Sequence, residues 1–467
     1  MKRCCIFTVL WLLAGSVAFP KAEMNVVLFL VDDLGWKDLG CQGSTYYQTP
    51  HIDRLAAEGM RFTNGYAACN VCSPTRAAIL TGKYPARLML TQWLPAGRWN
   101  PTRHKMREGR FLRALPLEEI TLAETLRDAG YATLHVGKWH LGGPPFSLPR
   151  HHGFTVNVGG SEHGAPGSYF YPYKGSWTIP TTGLPVLKQT LPDGEEGEYL
   201  TDRLTAEAVE LIRANRERPF FLYFPHYAVH TPLQAKKKVI ARYEKVPKGK
   251  RQGKPAYAAM VESVDDSVGR VLSVLKELKL EEKTLVIFTS DNGGYAGATS
   301  NGLRANKGSN YEGGIRVPLI IKWPGQSTPG AQTDVPAIST DLYPTILEAL
   351  GLPLRPNQHL DGESLLPVLA GARSLERETL FWHYPHYNRH PHSFPSGVLR
   401  KGHWKLITHY ETGKQELFDL AADPGETRDR SADKPELLRE LAAEFSQLGQ
   451  QTAADPMRPN PEYKASR

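Results

Sequence analysis

Asn25-Val-Val-Leu-Phe-Leu-Val31, closed by Asp32-Asp33-Leu34-Gly35, is the stretch on which the reading of this chain turns. An unbroken apolar run of β-branched and aromatic residues, ended by turn formers, predicts a strand covered on both faces, as in a parallel sheet. Pro219-Phe-Phe-Leu-Tyr-Phe224 and Thr284-Leu-Val-Ile-Phe-Thr289 have the same character, and residues 131–136 and 314–321 read as further strands. Between them lie segments of helical period at 49–59, 117–130, 198–215 and 257–280. In the third, Leu204, Ala208, Leu211 and Ile212 share the inward face. Strands alternating with helices predict an α/β fold on a mostly parallel sheet.

Such sheets bind ligands beyond the carboxyl ends of their strands, and this sequence puts its reactive side chains there. Asp32 and Asp33 end the first strand. Neighbours in a regular strand face opposite ways, so both reach one site only if the chain turns, which Gly35 permits. The pair equally suits an Asx turn or a helix cap. Ser290-Asp291-Asn292-Gly293-Gly294 closes the 284–289 strand, and His226-Tyr-Ala-Val-His230 follows 219–224, with His230 the candidate for chemistry and His226 a support. In Gly137-Lys138-Trp139-His140-Leu141-Gly142 the lysine and histidine, two apart, share a face if the segment is extended. Asp32, Asp33, Asp291 and Asn292 make an oxygen-only set suited to a hard cation and poor for zinc. Arg76, Lys138, His140, His230 and Lys307 make a cationic and protic set sized for a tetrahedral dianion.

Cys69-Asn-Val-Cys72-Ser-Pro-Thr-Arg76-Ala-Ala-Ile-Leu-Thr-Gly82 predicts a helix starting at Ser73-Pro74 and stopping at Gly82, with Cys72 at its N-terminus. A small buried cysteine before a helix is the alternative reading. Cys-x-Pro-x-Arg followed by Leu-Thr-Gly resembles the signature of the type I, formylglycine-dependent sulfatases of the alkaline-phosphatase-like superfamily. The strand-end clusters resemble that family in order and spacing over nearly the whole mature chain, in a manner similar to its arylsulfatase and N-acetylgalactosamine sulfatase branches. The resemblance implies a large mixed, mostly parallel sheet flanked by helices, with a small C-terminal antiparallel α+β subdomain. It implies that a maturation enzyme converts Cys72 to formylglycine. It also implies that Asp32, Asp33, Asp291, Asn292 and residue 72 hold Ca²⁺, or Mg²⁺, and that Arg76, Lys138, His230 and Lys307 bind sulfate. In the implied mechanism the hydrated aldehyde attacks sulfur, His230 assisted by Lys307 protonates the leaving alcohol, and His140 takes a proton as sulfate departs.

Residues 1–18 read as a signal peptide: Lys2 and Arg3 precede an apolar run from Cys4 to Leu13 and a small-residue site at Ser16-Val17-Ala18. This predicts export to a periplasm or the exterior, and no later stretch is apolar enough to span a bilayer. Cys41, Cys69 and Cys72 remain; with residue 72 modified, the other two are either a disulfide or two buried thiols. A net charge of +8 suits an anionic substrate. No zinc-finger spacing, Arg-rich arm or basic-aromatic repeat points to nucleic acid. Residues 24–375 read as a catalytic domain and 376–467 as a C-terminal subdomain, with short strands at 379–384, 397–400, 404–408 and 416–419 and a helix at 435–448. Three irregular regions are candidates for gripping a sugar: 88–116 with Trp93, Arg98, Trp99, Arg103 and His104; 143–197; and the loop bearing His383, His386, His390 and His392. The expected substrate is a galactose- or N-acetylgalactosamine-type sulfate ester. Phosphate or phosphonate monoester hydrolysis on the same site is the first alternative, and an inactive carbohydrate-binding relative the second.

Overall fold

Asn25–Val31 lies at the centre of an eight-stranded sheet, paired in parallel with Phe220–Pro225 on one side and Thr284–Ser290 on the other. This computed structural model describes residues 24–94, 99–175, 190–191, 193–295, 297–298 and 302–464. The signal peptide read at 1–18, Arg98 and part of the 143–197 excursion lie outside the described residues. Ala132–Val136 and Val156–Val158 extend the parallel array past Phe220–Pro225. Leu319–Lys322 runs antiparallel beside Thr284–Ser290, and Met60–Phe62 and Ala331–Thr333 complete that edge, so the sheet is mixed and mostly parallel.

The apolar run is unbroken because both faces are covered. Val27, Phe29 and Val31 enter one core with the helices Pro50–Glu58, Leu200–Ala214 and Pro255–Glu277. Val26, Leu28 and Leu30 enter a second with Cys72–Thr81, Leu122–Asp128 and Leu342–Ala349. Register then places the chemistry. Val31 pairs with Ser290 and Leu30 with Pro225, so Asp32, Asp291 and His226 leave the sheet at one level.

The strand expected at 314–321 is shorter and begins later. Glu312–Ile315 is a helical turn closed by the Arg316 N–H on the Glu312 carbonyl, and pairing starts only at Leu319, after Pro318, which has no N–H to give a ladder. Within 117–130 only Leu122–Asp128 is helical, started by a capping box between Thr121 and Glu124.

Thr379–Tyr384, Ser396–Lys401, Trp404–His409 and Gln415–Asp419 form a separate antiparallel sheet, each strand pairing with the next. One face, through Leu399, Leu406 and Leu417, packs on Leu441 of the helix Pro435–Gln451. The other, through Trp382, Val398, Ile407 and Phe418, packs on Tyr66, Ala78, Tyr84 and Tyr311, which belong to the larger body. At that seam the buried Lys405 ammonium lies 2.9 Å from Glu312 and 2.8 Å from Glu426. Lys405→Met removes the cation that the two buried carboxylates share, leaving Glu312 with Arg316 at 3.6 Å, and the expected loss is roughly 3–5 kcal/mol of unfolding free energy. A urea midpoint that does not move would show that the triad contributes nothing. Among the described residues, no helix is long and apolar enough to cross a membrane.

Candidate active site

The three central strand ends converge on Cys72. Asp32 is held by its backbone: its N–H donates to the Ala228 carbonyl (3.1 Å) and its carbonyl accepts from the Val229 N–H (2.8 Å). The turn that brings Asp33 to the same side is made by Asp33 itself, at φ 62°. Gly35, expected to supply that freedom, serves another purpose. A Cβ there would lie 2.5 Å from Asp38 Oδ2, which accepts the Gly35 N–H (3.0 Å) and the Tyr257 hydroxyl (2.6 Å). Asp291 receives the Asp33 N–H at 3.3 Å, and the Asn292 Nδ2 amide donates to Asp33 Oδ1 at 2.8 Å.

The helix Cys72–Thr81 is buried along its whole length and ends at Gly82, φ 67°. Its first turn aims Arg76 inward, where Nε and Nη2 both donate to Asp291 Oδ2 (2.9 and 2.7 Å) and Nη1 to the Lys138 carbonyl (2.9 Å). Lys138 Nζ donates to Asp32 Oδ2 at 2.6 Å, and Lys307 Nζ lies 2.5 Å from Asp33 Oδ1 and 3.2 Å from Cys72 Sγ. The Lys307 loop is fixed at both ends, by its own N–H on the Gly294 carbonyl and by the Gly308 N–H on the Asn70 carbonyl. His230 Nε2 stands 3.7 Å from Asp33 Oδ2. Every residue assigned from the sequence to the two sets except His140 is joined by these contacts to one buried cluster. His140 adjoins it through the Lys138 segment, which is not extended there: His140 takes φ 61° between Gly137 at 118° and Gly142 at 116°. A Cβ at 137 would meet the Pro225 carbonyl at 2.0 Å.

With this geometry in place, likeness to known proteins decides the family. Residues 24–352 match the family model described as Sulfatase. The chain belongs to the sulfatase family. Residues 305–451 of this sulfatase also match a model described as N-sulphoglucosamine sulphohydrolase, C-terminal. Human arylsulfatase A is 34% identical over 95% of this chain and 87% of its own length. Mouse N-acetylgalactosamine-6-sulfatase is 34% identical over 81% and 71%. The solved structure of Ps i-CgsB in complex with k-i-k-neocarrahexaose superposes with a TM-score of 0.77 at 30% identity, covering 95% of each chain. The sulfatase is therefore a sulfuric ester hydrolase, of a family that implies a formylglycine and a metal ion.

The residues present fit such an ion. Ligand atoms of Asp32, Asp33, Cys72 and Asp291 lie within 4.8 Å of one another and all four residues are buried. Asp32 Oδ1, Asp33 Oδ2 and Asn292 Oδ1 are buried and accept no hydrogen bond among the described residues, although buried acceptors are normally paired. The charges agree. Burial, against the pull of Lys138, pushes Asp32 up to about 8, so its ionised form wants a further cation. Burial also acts on Asp33, but the nearby lysines, Lys307 first, outweigh it and hold that carboxyl below its ordinary range.

Two imidazoles have assignable tautomers because a carbonyl can only accept. His140 Nε2 donates to the Leu94 carbonyl (2.5 Å), which leaves Nδ1, buried and without a partner among the described residues, as a lone pair. His230 Nδ1 donates to the Thr231 carbonyl (2.8 Å), which leaves Nε2 on the Asp33 side. Burial, reinforced by nearby lysines, lowers both, His230 to about 3, so each is neutral in the free site. Burial pushes the Cys72 thiol up to about 12, and a thiol of that acidity is a poor nucleophile at neutral pH.

Several side chains singled out in the loops have structural employment instead. His226 is bonded to Ser267 (2.9 Å), in keeping with a supporting place. His383 is buried between the Tyr410 hydroxyl and the Asp455 carbonyl, and His386 is buried against Thr91, so neither overhangs the site. Trp99 Nε1 donates to the Met106 carbonyl and His104 stacks on Tyr387 at 3.8 Å, which ties the 88–116 region to the C-terminal part. Cys41, Cys69 and Cys72 are all free, with Cys69 buried against Val71 and Tyr384, so the disulfide alternative is not formed. Sequence reading missed Asp38, Tyr257 and the Leu94 carbonyl. Asp38 accepts from the Gly35 N–H three residues before it and from Tyr257 over two hundred residues away, and the carbonyl on His140 lies 46 residues from it, so no local pattern marks either.

Proposed function

We propose that this sulfatase is exported and removes sulfate from a galactose- or N-acetylgalactosamine-type saccharide, using formylglycine formed from Cys72 by a maturation enzyme. The observation that carries the reading is the setting of Cys72: a deeply buried position, 3.2 Å from the Lys307 ammonium and grouped with the carboxylates of Asp32, Asp33 and Asp291, where burial, with Asp32 and Asp291 adding to it, raises the thiol pKa against the pull of Lys138 and Lys307. Those surroundings suit an oxygen nucleophile and an anionic ester. The basic n-region, the apolar run and Ser16-Val17-Ala18 support export, and the change from the large sheet to the small one supports a division into 24–375 and 376–467.

Asp32, Asp33, Asp291 and Asn292 would hold Ca²⁺, which tolerates an irregular oxygen cage better than Mg²⁺ and when bound supplies Lewis-acid charge. Formylglycine at position 72 would supply, as its hydrate, an oxygen nucleophile and a second hydroxyl for the release of sulfate. The other steps fall to side chains of this chain. Lys307 and Lys138 offer preorganised positive charge where the sulfuryl oxygens gain negative charge. Arg76, three of whose five N–H donors go to Asp291 and the Lys138 carbonyl, orients those two groups. His230 is neutral until a sulfate anion arrives beside it, which raises its pKa and lets Nε2 carry a proton to the leaving alcohol. His140 Nδ1 is the acceptor for the proton given up as sulfate departs.

In a competition between 4-nitrophenyl sulfate and 4-nitrophenyl phosphate, the expected kcat/KM favours the sulfate by at least about tenfold. A preference for the phosphate would replace this reading by phosphomonoester hydrolysis.

A further inference from the structure

We propose that Tyr295 and His390 form a saccharide subsite at the rim of the Cys72 site, so that the loop joining the first two strands of the small sheet takes part in selecting the sugar. The inference rests on the saccharide-sulfatase reading above.

Four observations carry it. Lys307, whose ammonium lies 3.2 Å from Cys72 Sγ, is followed by Gly308 at φ +85°, where a Cβ would lie 2.6 Å from the Cβ of His390. His390 is therefore packed on the backbone that immediately follows the lysine. Tyr295 meets the imidazole edge-on, with centroids 4.5 Å apart and planes at 81°. Tyr295 adjoins the same lysine from the other side, because the Lys307 N–H donates to the carbonyl of Gly294. Both rings are only half-buried.

The His390 loop is held by side chains rather than draped over the surface. Its N–H donates to Asn388 Oδ1 (3.3 Å), Asn388 Nδ2 donates to the Tyr384 hydroxyl (3.0 Å), and that hydroxyl donates to Gln92 Oε1 (3.0 Å). Tyr384 packs with Cys69 and Val71, next to the nucleophile position. A frame built from the small sheet and the Cys72 segment thus fixes where His390 stands.

The chemistry of the pair suits the uncharged part of a sugar sulfate. Lys138 and Lys307 already meet the anion, whereas a phenol ring and an imidazole offer an apolar face for pyranose C–H groups and polar edges for hydroxyls. Losing one such contact costs about 10- to 200-fold in discrimination.

The test compares full-length, matured wild type, His390→Ala, His390→Gln and Tyr295→Ala on 4-nitrophenyl sulfate and on a panel of sulfated galactose and N-acetylgalactosamine monosaccharides. For His390→Ala and Tyr295→Ala, the ratio of kcat/KM on the best saccharide to that on the aryl sulfate is expected to fall at least about tenfold, mainly through KM. His390→Gln, which keeps a hydrogen-bonding edge without the ring, is expected to recover part of the loss. An unchanged ratio, whether both activities fall together or neither falls, overturns the subsite. Failure of the underlying reading has its own signature: wild type that turns over the aryl sulfate but no member of the panel refutes a sugar of this class.

Discussion

Cys72→Ala is expected to lower turnover of any sulfate ester by on the order of 10⁴- to 10⁶-fold, the scale on which removing a covalent nucleophile acts in hydrolases. The loss follows from position. Residue 72 starts a fully buried helix and faces Lys307 at 3.2 Å, and no other oxygen or sulfur nucleophile on that helix contacts Lys307. Alanine fits the helix start and removes only the sulfur, so the fold is expected to melt at nearly the wild-type temperature. Protein made without the maturation enzyme is expected to be equally inactive, because a buried thiol pushed up to about 12 stays protonated. Activity in either preparation near that of the matured enzyme would refute the assignment of Cys72.

Stripping the enzyme with a chelator is expected to reduce kcat by at least about 100-fold, the scale of losing one preorganised charge stabiliser, with recovery on adding Ca²⁺. A second readout does not depend on turnover. A cation that binds only the folded state stabilises it by about 2.7 kcal/mol at a hundredfold excess over Kd, so the loaded protein melts higher. The gap between the two forms also depends on pH. Asp32 has its pKa raised by burial from 3.8 to about 8 in the cation-free fold. Stability linked to that raised value is complete below the ordinary carboxylate range and is lost as pH rises through about 8. Asp33 is lowered, so its contribution changes only at more acid pH. Between roughly pH 5 and 8 the melting temperature of stripped protein should therefore fall relative to loaded protein. A gap that is constant over this window, or a chelated enzyme with full activity, would count against a cation on these carboxylates.

The parts of the fold that were legible in the sequence are those where a single physical cause dominates. Asn25–Val31, Phe220–Pro225 and Thr284–Ser290 carry continuous apolar runs because they are covered on both faces, and that pattern is local. The polar clusters at their ends were legible for the same reason: an abrupt change from apolar to Asp, Asn or His marks where a buried strand stops. How those side chains reach one another was not legible. Asp33 reaches the site, and His140 its edge, through left-handed backbone at non-glycine residues, and both are tied to distant groups rather than to sequence neighbours: the Asp33 carbonyl accepts from the Tyr257 hydroxyl and the His140 N–H donates to the Ser161 carbonyl. The histidines at 383 and 386 looked alike in sequence to the one at 390, yet the first two are buried, His383 against Tyr410 and Asp455 and His386 against Thr91, and the third packs on Gly308 beside Lys307. Burial decided that division, and burial depends on which loop packs where.

The most direct test of the account is the mass of the peptide containing residues 69–76 from active, exported protein, read beside its sulfate-ester turnover. The expected product has one sulfur and two hydrogens of Cys72 replaced by one oxygen, in a fraction that tracks specific activity across preparations. Full activity in protein whose Cys72 peptide retains the intact thiol would contradict it.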